Sequence, residues 1–481
     1  MRNKKLKIII VGAGPAGLSA ATVFDKDKDK DKSEYRNDNN YKITLIEKTN
    51  SVGGLAKTLK RKNSYFYDIG PHRFFTKNEE INNFFIYYAK NDLVKVKRLT
   101  RILYNQTYFN YPLTPFSTLK KLGILKSLNI ILSYIYSVFF FKKKIRSFED
   151  WIIKNFGSNL YQIFFKTYTE KVWGIPCRDI GSDWGEQRIK KLNLLEIIKS
   201  FFFKTQNKSL VDEFFYLKKG AGNLYTNIQK KLKNTKIFFN SKVTKYHFSR
   251  DKKKIIYITV IDHLKKKKKI YGDYFICSAP ITETIKNFNI SIPKKITAII
   301  NSLKYRNHIG VNFLIEGNIF KDNWIYIHSK EVKVARISNY KNFSKYMTKK
   351  DNLNPVTMEY FCDEKSTLWN LKDNDLIEIA KKELNYLNLS KNARILDSFV
   401  IRSEKAYPVI KIGYKHNINK IKKFLGFIEN FIPVGRTGMF KYNNQDHAIL
   451  TGIIGANKIL KNNKLDPWNV NIDAEYHETK K

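Results

Sequence analysis

Residues Lys7–Phe24, KIIIVGAGPAGLSAATVF, carry the reading that decides the fold. Lys7–Val11 is a compact apolar run of β type, and Leu18–Phe24 reads as a helix. Between them lies the turn Val11-Gly12-Ala13-Gly14-Pro15-Ala16-Gly17. In such a turn the first glycine permits a tight bend and the second lets backbone approach a pyrophosphate. The third allows close helix–strand packing. Gly12, Gly14 and Gly17 hold those three places. The helix then points its first amides at the phosphates. A second strand, Ile43-Thr44-Leu45-Ile46, runs into Glu47, an acid placed to accept from ribose hydroxyls. The usual interval to that acid is ~20 residues. Here it is longer because Asp25–Asn40, opening DKDKDKDK, inserts a polar segment expected to be a solvated loop. Strand, turn, helix and strand make a βαβ unit, so the fold class expected is α/β with a Rossmann-like, doubly wound sheet.

Beyond that unit the pattern changes several times. Long aromatic-rich helical stretches with few glycines run from about Leu119 to Leu210. Strand-like segments return at Lys236–Phe239, Ile255–Val260 and Tyr274–Cys277, alternating strands fill Gly310–Phe361, and Asp446–Leu460 reads as a final helix. The 481 residues suffice for two or three domains. The expected division is 1–80 as a first dinucleotide-binding part and 81–215 as a mainly helical substrate-side insertion. Then follow 216–290 as a second dinucleotide-binding part and 291–420 as a mixed or antiparallel sheet of a substrate domain. Residues 421–465 close the dinucleotide site, and 466–481 form a tail.

The formal charge is +46, from 89 Lys+Arg against 43 Asp+Glu. Such an excess suits nucleic acid, an anionic membrane or an acidic substrate. Short runs at Lys142–Lys144, Lys252–Lys254 and Lys265–Lys269 lie between elements, however, and the excess is spread over the surface. No nucleic-acid motif accompanies it, so nucleic acid is not an expected partner, while a phosphate-bearing ligand would be attracted. Cys177, Cys277 and Cys362, odd in number and far apart, make neither a disulfide framework nor a metal site, which suits a cytoplasmic setting. Met1–Ala21 has a basic start and an apolar run like a secretory signal, but its glycines are explained by the turn, and export is not expected. Leu128–Phe141 is apolar and aromatic over 14 residues, preceded by Lys126 and followed by three lysines. That is short of the ~20 residues of a bilayer span, so a buried helix or one lying on a membrane surface is expected.

Two further segments resemble flavoproteins of the amine oxidase and sugar-mutase group. Ser51-Val52-Gly53-Gly54-Leu55-Ala56-Lys57-Thr58 is similar to their second glycine pair after the ribose acid, the other reading being an ordinary turn. Asp273-Tyr274-Phe275-Ile276-Cys277-Ser278-Ala279-Pro280 resembles their strand beside the adenine half. The cofactor implied is FAD, with Gly53, Gly54, Leu55 and Val243 joining the binding residues.

Four more segments resemble the UDP-galactopyranose mutases, especially the eukaryotic-type branch. In Asp68-Ile69-Gly70-Pro71-His72-Arg73-Phe74-Phe75, the Gly70-Pro71-His72 core matches a flavin-lining segment. Tyr168–Pro176, running to Trp184-Gly185-Glu186-Gln187-Arg188, is similar to a stretch ending in an arginine that grips a diphosphate, which falls on Arg188. A planar, always charged guanidinium suits phosphate oxygens. The plain alternative is one surface cation among many. Trp324-Ile325-Tyr326, Arg336 and Ser338-Asn339-Tyr340 match a Trp-x-Tyr pair and a second diphosphate arginine. Trp324 and Tyr326 share one face of a strand; core aromatics would share it equally. Gly435–His447 resembles the family's closing motif, with Arg436 by the flavin, Tyr442 at the substrate phosphate, and Asn444, Gln445 and Asp446 where the last helix meets the cofactor. Tyr407 looks like another pocket tyrosine. The match departs between Tyr442 and Gln445, which is shorter, and at Tyr111–Pro115, which lacks the side chains expected around uracil.

The resemblance implies an isomerase that interconverts UDP-galactopyranose and UDP-galactofuranose through a reduced-flavin N5–sugar adduct. His72, Arg188, Arg336 and Arg436 would be its catalytic residues, and NAD(P)H a candidate external reductant. Trp324, Tyr326, Asn339, Tyr407 and Tyr442 would bind the nucleotide-sugar substrate. No GxSxG elbow and no cysteine with a recognisable base partner offers a protein nucleophile. Two alternatives stand beside it: a flavin oxidoreductase of the amine oxidase or protoporphyrinogen oxidase type, and a non-catalytic flavin-binding protein associated with a membrane surface.

Overall fold

The computed structural model describes residues 5–25, 41–62, 64–189, 213–390, 393–461 and 465–471, with side chains of 115, 186–189 and 461 outside the description. The DKDK insertion past Asp25, the last part of the expected helical stretch (190–212) and the end of the tail lie outside the described residues.

Leu6–Val11 sits at the centre of a parallel five-stranded sheet, between Tyr41–Ile46 and Tyr274–Cys277. Thr235–Phe238 and Phe431–Pro433 form its edges. Because side chains alternate along a strand, Ile8 and Ile10 enter one core while Ile9 and Val11 enter another. A strand buried on both faces reads as a continuous apolar run, and IIIV is that run. The helix after the turn covers Pro15–Phe24, three residues longer at its start than the sequence pattern suggests. Proline without an N–H is well placed at a helix's first position. Against it packs the closing helix Gln445–Lys461, so tightly that a Cβ on Gly452 would stand 2.1 Å from the Ala16 carbonyl oxygen. The opposite face is covered by the antiparallel strands Ser241–Phe248, Ile255–Asp262 and Lys267–Tyr271.

A second sheet has seven strands, in the order Arg394–Pro408, Tyr305–Glu316, Leu353–Cys362, Arg336–Asn339, Trp324–Ile327, Thr100–Tyr104 and Thr107–Asn110. It is antiparallel except where Trp324–Ile327 runs parallel to Thr100–Tyr104. Helix Asp373–Tyr386 covers it with Leu376, Ile377, Ala380 and Leu384, spaced for one helical face. Most of this sheet lies within 291–420, but it recruits two strands from 81–215, a stretch that starts in helix Glu79–Ala89 and continues through strands before its further helices. Asn105 and Gln106, at φ +46° and +61°, make the hairpin between them, the backbone that two-residue hairpin loops require.

Helices fill the rest of that insertion. Phe148–Phe156 starts in a capping box between Ser147 and Asp150. Helix Ile124–Phe140 buries only Ile130, Tyr134 and Ser137. Of the two placements expected for Leu128–Phe141, the buried one is therefore wrong: the helix lies on the surface. Among the described residues no helix is long and apolar enough to cross a membrane.

Candidate functional site

A cavity of about 1290 Å³ lies between the two sheets and is lined by the Gly-rich turn, Gly54–Lys57, Ile69–Asn78, Trp324, Tyr326, Arg336, Tyr407, Gly435–Thr437 and Tyr442–Ala448. It exceeds the ~300–1,000 Å³ of ordinary ligand pockets, which leaves room for a dinucleotide together with a second ligand.

The first end is built from glycine. Gly12 takes φ +98°, and its N–H donates to the Ile46 carbonyl at 2.8 Å. Gly53 N–H donates to the Ala13 carbonyl at 2.8 Å, tying the second glycine pair onto the first turn. Gly54, at φ +54°, then rests on Gly14: a Cβ added to Gly54 would stand 3.1 Å from the Gly14 Cα. Both line the cavity, and a side chain on either would occupy the space a pyrophosphate needs. Helix Pro15–Phe24 has no side-chain cap, so its leading amides remain available to an anion. Gly17 lies beneath, where a Cβ would stand 1.8 Å from the Gly12 carbonyl oxygen. Its role is packing. Glu47 accepts from Ala13 N–H at 2.8 Å through Oε2, and from the Thr49 N–H and hydroxyl through Oε1. A carboxylate has about four lone-pair sites, so one acid both braces the turn and can receive a ribose hydroxyl. A dinucleotide fits this cradle. Val243 borders the same end.

In the middle of the cavity, Gly70 takes φ +82°, and a Cβ there would stand 3.2 Å from Glu359 Oε2. His72 donates from Nε2 to the Leu55 carbonyl at 2.8 Å. Burial, reinforced by the charge of Arg436, pushes its pKa down to about 4, so the ring is neutral at physiological pH. Gln445 donates to the His72 carbonyl at 3.3 Å and accepts from the Tyr225 hydroxyl at 2.6 Å, joining the closing helix to this loop. Leu55, Pro71, Asn444 and Asp446 also line the cavity, and burial raises the Asp446 carboxyl.

The far end is aromatic and cationic. Arg336 donates from Nε and Nη2 to Glu359, both at 2.7 Å. Glu359 also meets His308 Nε2 at 3.0 Å. Burial would raise the Glu359 carboxyl, but Arg336 and His308 outweigh it and hold it at about 2. Arg436 donates to the carbonyls of Asn443 and Ala406, and its guanidinium carbon lies 5.0 Å from the ring centroids of both Tyr407 and Tyr442. Trp324 and Tyr326 have ring centroids 6.3 Å apart. The buried Trp324 Nε1 has no hydrogen-bond partner among the described residues.

Most of the expected site residues meet here, with four exceptions. Gly53 and Gly17 support the cavity without lining it. Asn339 does not reach it: the side chain donates to Asn354 at 3.1 Å and accepts from Lys341 N–H. Along a strand, residues three apart face opposite ways, so Arg336 and Asn339 cannot share the cavity. Arg188 belongs to helix Ser182–Ile189, but its side chain lies outside the described residues. That helix does reach the site, since Trp184 packs on Tyr442 with centroids 4.9 Å apart. Three residues escaped the sequence reading as site residues. Glu359 gave no signal without the strand register. Tyr168, whose ring lies 5.2 Å from that of Tyr326, and Arg73, 5.9 Å from Trp324, stood inside quoted segments without a role.

The family described as flavin containing amine oxidoreductase matches residues 15–393. An L-amino-acid oxidase of Sistrurus catenatus edwardsii is 30% identical over 134 residues, 24% of this chain and 23% of the relative. A 15-cis-phytoene desaturase, chloroplastic/chromoplastic, of an Oncidium hybrid cultivar is 32% identical over 100 residues, 21% of this chain and 15% of the relative. The matches thus span less than a quarter of these relatives' length. Among solved structures, reduced UDP-galactopyranose mutase superposes with a TM-score of 0.83 at 20% identity, covering 99% of this chain and 98% of the other. A putative protoporphyrinogen oxidase from Exiguobacterium sp. 255-15 superposes with a TM-score of 0.73 at 12% identity, covering 96% and 100%. At these identities the structural likeness is one of fold.

Proposed function

The chain belongs to the flavin containing amine oxidoreductase family, and within it we propose a nucleotide-sugar isomerase that interconverts UDP-galactopyranose and UDP-galactofuranose. The observation that supports this reading is the charge at the aromatic end of the cavity. Arg336 and Arg436 stand there and, among the described residues, one buried carboxylate, that of Glu359, faces them and pairs with Arg336. Arg436 has tyrosines on two sides and, among the described residues, no ion-pair partner. Such a field attracts a diphosphate and repels a protonated amine, and it offers nothing to an apolar polyene. The fold of the mutase neighbour agrees with the reading.

FAD would be held at its pyrophosphate by Gly12, Gly14, Gly54 and the helix amides, and at its ribose by Glu47. Val243 would border the adenine half. Leu55, Gly70–His72, Gly435, Arg436 and Asn444–Asp446 would frame the ring. When bound and reduced, with NAD(P)H as candidate electron source, the flavin supplies an electron-rich centre for covalent catalysis at the sugar. The protein supplies position and charge. Arg188 and Arg336 balance the diphosphate as it leaves and returns. Burial raises the Tyr407 phenol, which stays protonated and donates to phosphate oxygen. Neutral His72 spends Nε2 on Leu55 and presents Nδ1 as an acceptor. Trp324 and Tyr326 wall the pocket, and the unpartnered Trp324 N–H is a donor for substrate.

A second reading, a flavin oxidoreductase, is favoured by the oxidase and desaturase among the sequence relatives. One experiment separates them. Dithionite-reduced protein is incubated with UDP-galactofuranose, and UDP-galactopyranose is followed by chromatography. Conversion by the reduced protein alone is expected. No conversion, together with oxygen-dependent turnover of an amine or a porphyrinogen, would overturn the isomerase reading.

A further inference from the structure

We infer that helix Ile124–Phe140 is a docking surface for an anionic lipid bilayer, lying flat among the headgroups. The helix advances about 100° per residue. Leu128, Leu132, Ile135 and Phe139 therefore form one line, on the side away from the buried Ile130, Tyr134 and Ser137. The outward line is not polar, as a solvated helix requires. Leu132 is 62% exposed, Phe139 73%, and the leading Ile124 and Leu125 about 80% each. A contiguous apolar face of this kind marks an interaction surface rather than scattered exposure.

Its rim decides the partner. From Pro115 to Ser147 there is no acidic residue, while Lys120, Lys121, Lys126, Lys142, Lys143, Lys144 and Arg146 are present. Lys143 is paired with Asp150 and Lys121 donates to the Tyr108 carbonyl; Lys120, Lys126, Lys142 and Lys144 are exposed at either end of the helix. Protein interfaces are depleted in lysine. A lysine-flanked helix with an aliphatic and aromatic face is the pattern of a segment embedded at the headgroup boundary, where basic side chains meet anionic lipid. The helix is also too short to span: 17 residues reach ~26 Å against a hydrocarbon core of ~30 Å. Its inner side is fastened to the protein. A Cβ on Gly157 would stand 2.8 Å from the Tyr134 nitrogen, and Asn159 donates to the Asn129 carbonyl and to the Ser133 hydroxyl. The helix is thus a rigid, presented face.

Flotation of the full-length flavin-loaded protein with phosphatidylcholine vesicles, with and without phosphatidylserine, tests this. Binding to the phosphatidylserine vesicles is expected, falling with added salt. Because a +46 chain could adhere by charge alone, the deciding variant keeps every charge: Leu128→Ser, Leu132→Ser and Phe139→Ser combined. It should bind at least about tenfold more weakly with an unchanged flavin spectrum. Should that variant lose its flavin, Phe139→Ser alone carries the test with a severalfold drop. Equal binding by the flavin-loaded variant, or a wild-type chain that ignores both vesicle types, would overturn the inference. So would sedimentation showing that this face joins two copies of the chain without any vesicle binding.

Discussion

Arg336 stands directly opposite Glu359 on neighbouring antiparallel strands, and two of its nitrogens are committed to that carboxylate. The pair is expensive to desolvate and still more expensive to break, so Glu359 fixes where the guanidinium points. Its pKa gives a signed prediction. Glu titrates near ~4.3 in an unfolded chain, whereas in the fold Glu359 is held at about 2. A depressed carboxyl contributes stability that is present above the unfolded value and lost as pH falls through the folded one. The contribution is on the order of 3 kcal/mol. Glu359→Gln should therefore be less stable than wild type at pH 7, with the gap closing between pH ~4.3 and ~2. Denaturant unfolding at stepped pH measures this, and a gap that stays constant would contradict it. The same pair shows where sequence reading stops. Arg336 was legible because Trp324-Ile325-Tyr326 and the arginine after it resemble the diphosphate segment of the mutases. Glu359 was not, because an acid in a strand acquires a role only once register names its partner. Asn339 misled for the same reason, its face being set by strand period rather than by nearness to Arg336.

At the level of elements, the Gly-rich turn separates two kinds of glycine that a motif writes with one letter. Gly14 faces the cavity, where an added Cβ would stand 3.8 Å from the Gly54 Cα, whereas Gly17 is wedged against the Gly12 carbonyl. Gly14→Ala should fold with little loss of thermal stability in the apo form, while its FAD affinity falls by about tenfold or more, from a methyl placed where the pyrophosphate approaches. Gly17→Ala should instead fail to accumulate as folded protein, because the helix must be pushed off the strand. Flavin absorbance and melting temperature on the two purified variants check this; equal FAD content in both would refute the division of labour. The helix following the turn was legible because every local signal agreed. The strands at Thr100–Tyr104 and Thr107–Asn110 were not, although TRILY and TYFN are rich in β-branched and aromatic residues. Their turn is Asn105-Gln106 rather than the glycine-bearing pair that usually announces a hairpin, and the surrounding helical pattern absorbed them. The closing helix was placed within one residue at each end, since Gln445–Lys461 carries its own apolar period.

Across the whole molecule, the cavity draws on residues that are remote in sequence: Gly12, Gly14, Glu47, Gly54–Ala56, Gly70–His72, Val243, Ser278–Pro280, Trp324, Tyr326, Arg336, Tyr407, Gly435–Thr437 and Tyr442–Ala448. A ligand that touches all of them binds only when both sheets are assembled, so its binding free energy adds to folding stability. FAD at about one hundred times its dissociation constant should add ~2.7 kcal/mol, read as a concentration-dependent rise in melting temperature. An apo protein indifferent to FAD would count against the cradle. The second ligand can be separated from the first on the same instrument. UDP added to the FAD-loaded protein should raise the melting temperature again, because the diphosphate neutralises arginines that otherwise repel one another across the cavity. In Arg188→Ala the FAD increment should persist while UDP affinity drops about tenfold or more, the scale of one lost charge-assisted hydrogen bond. That variant is more informative than Arg336→Ala, which strands Glu359 without its partner and confounds binding with stability. If UDP stabilises Arg188→Ala as well as it does the wild type, the diphosphate is not gripped from helix Ser182–Ile189. Among the described residues, the positive field would then rest on Arg336 and Arg436.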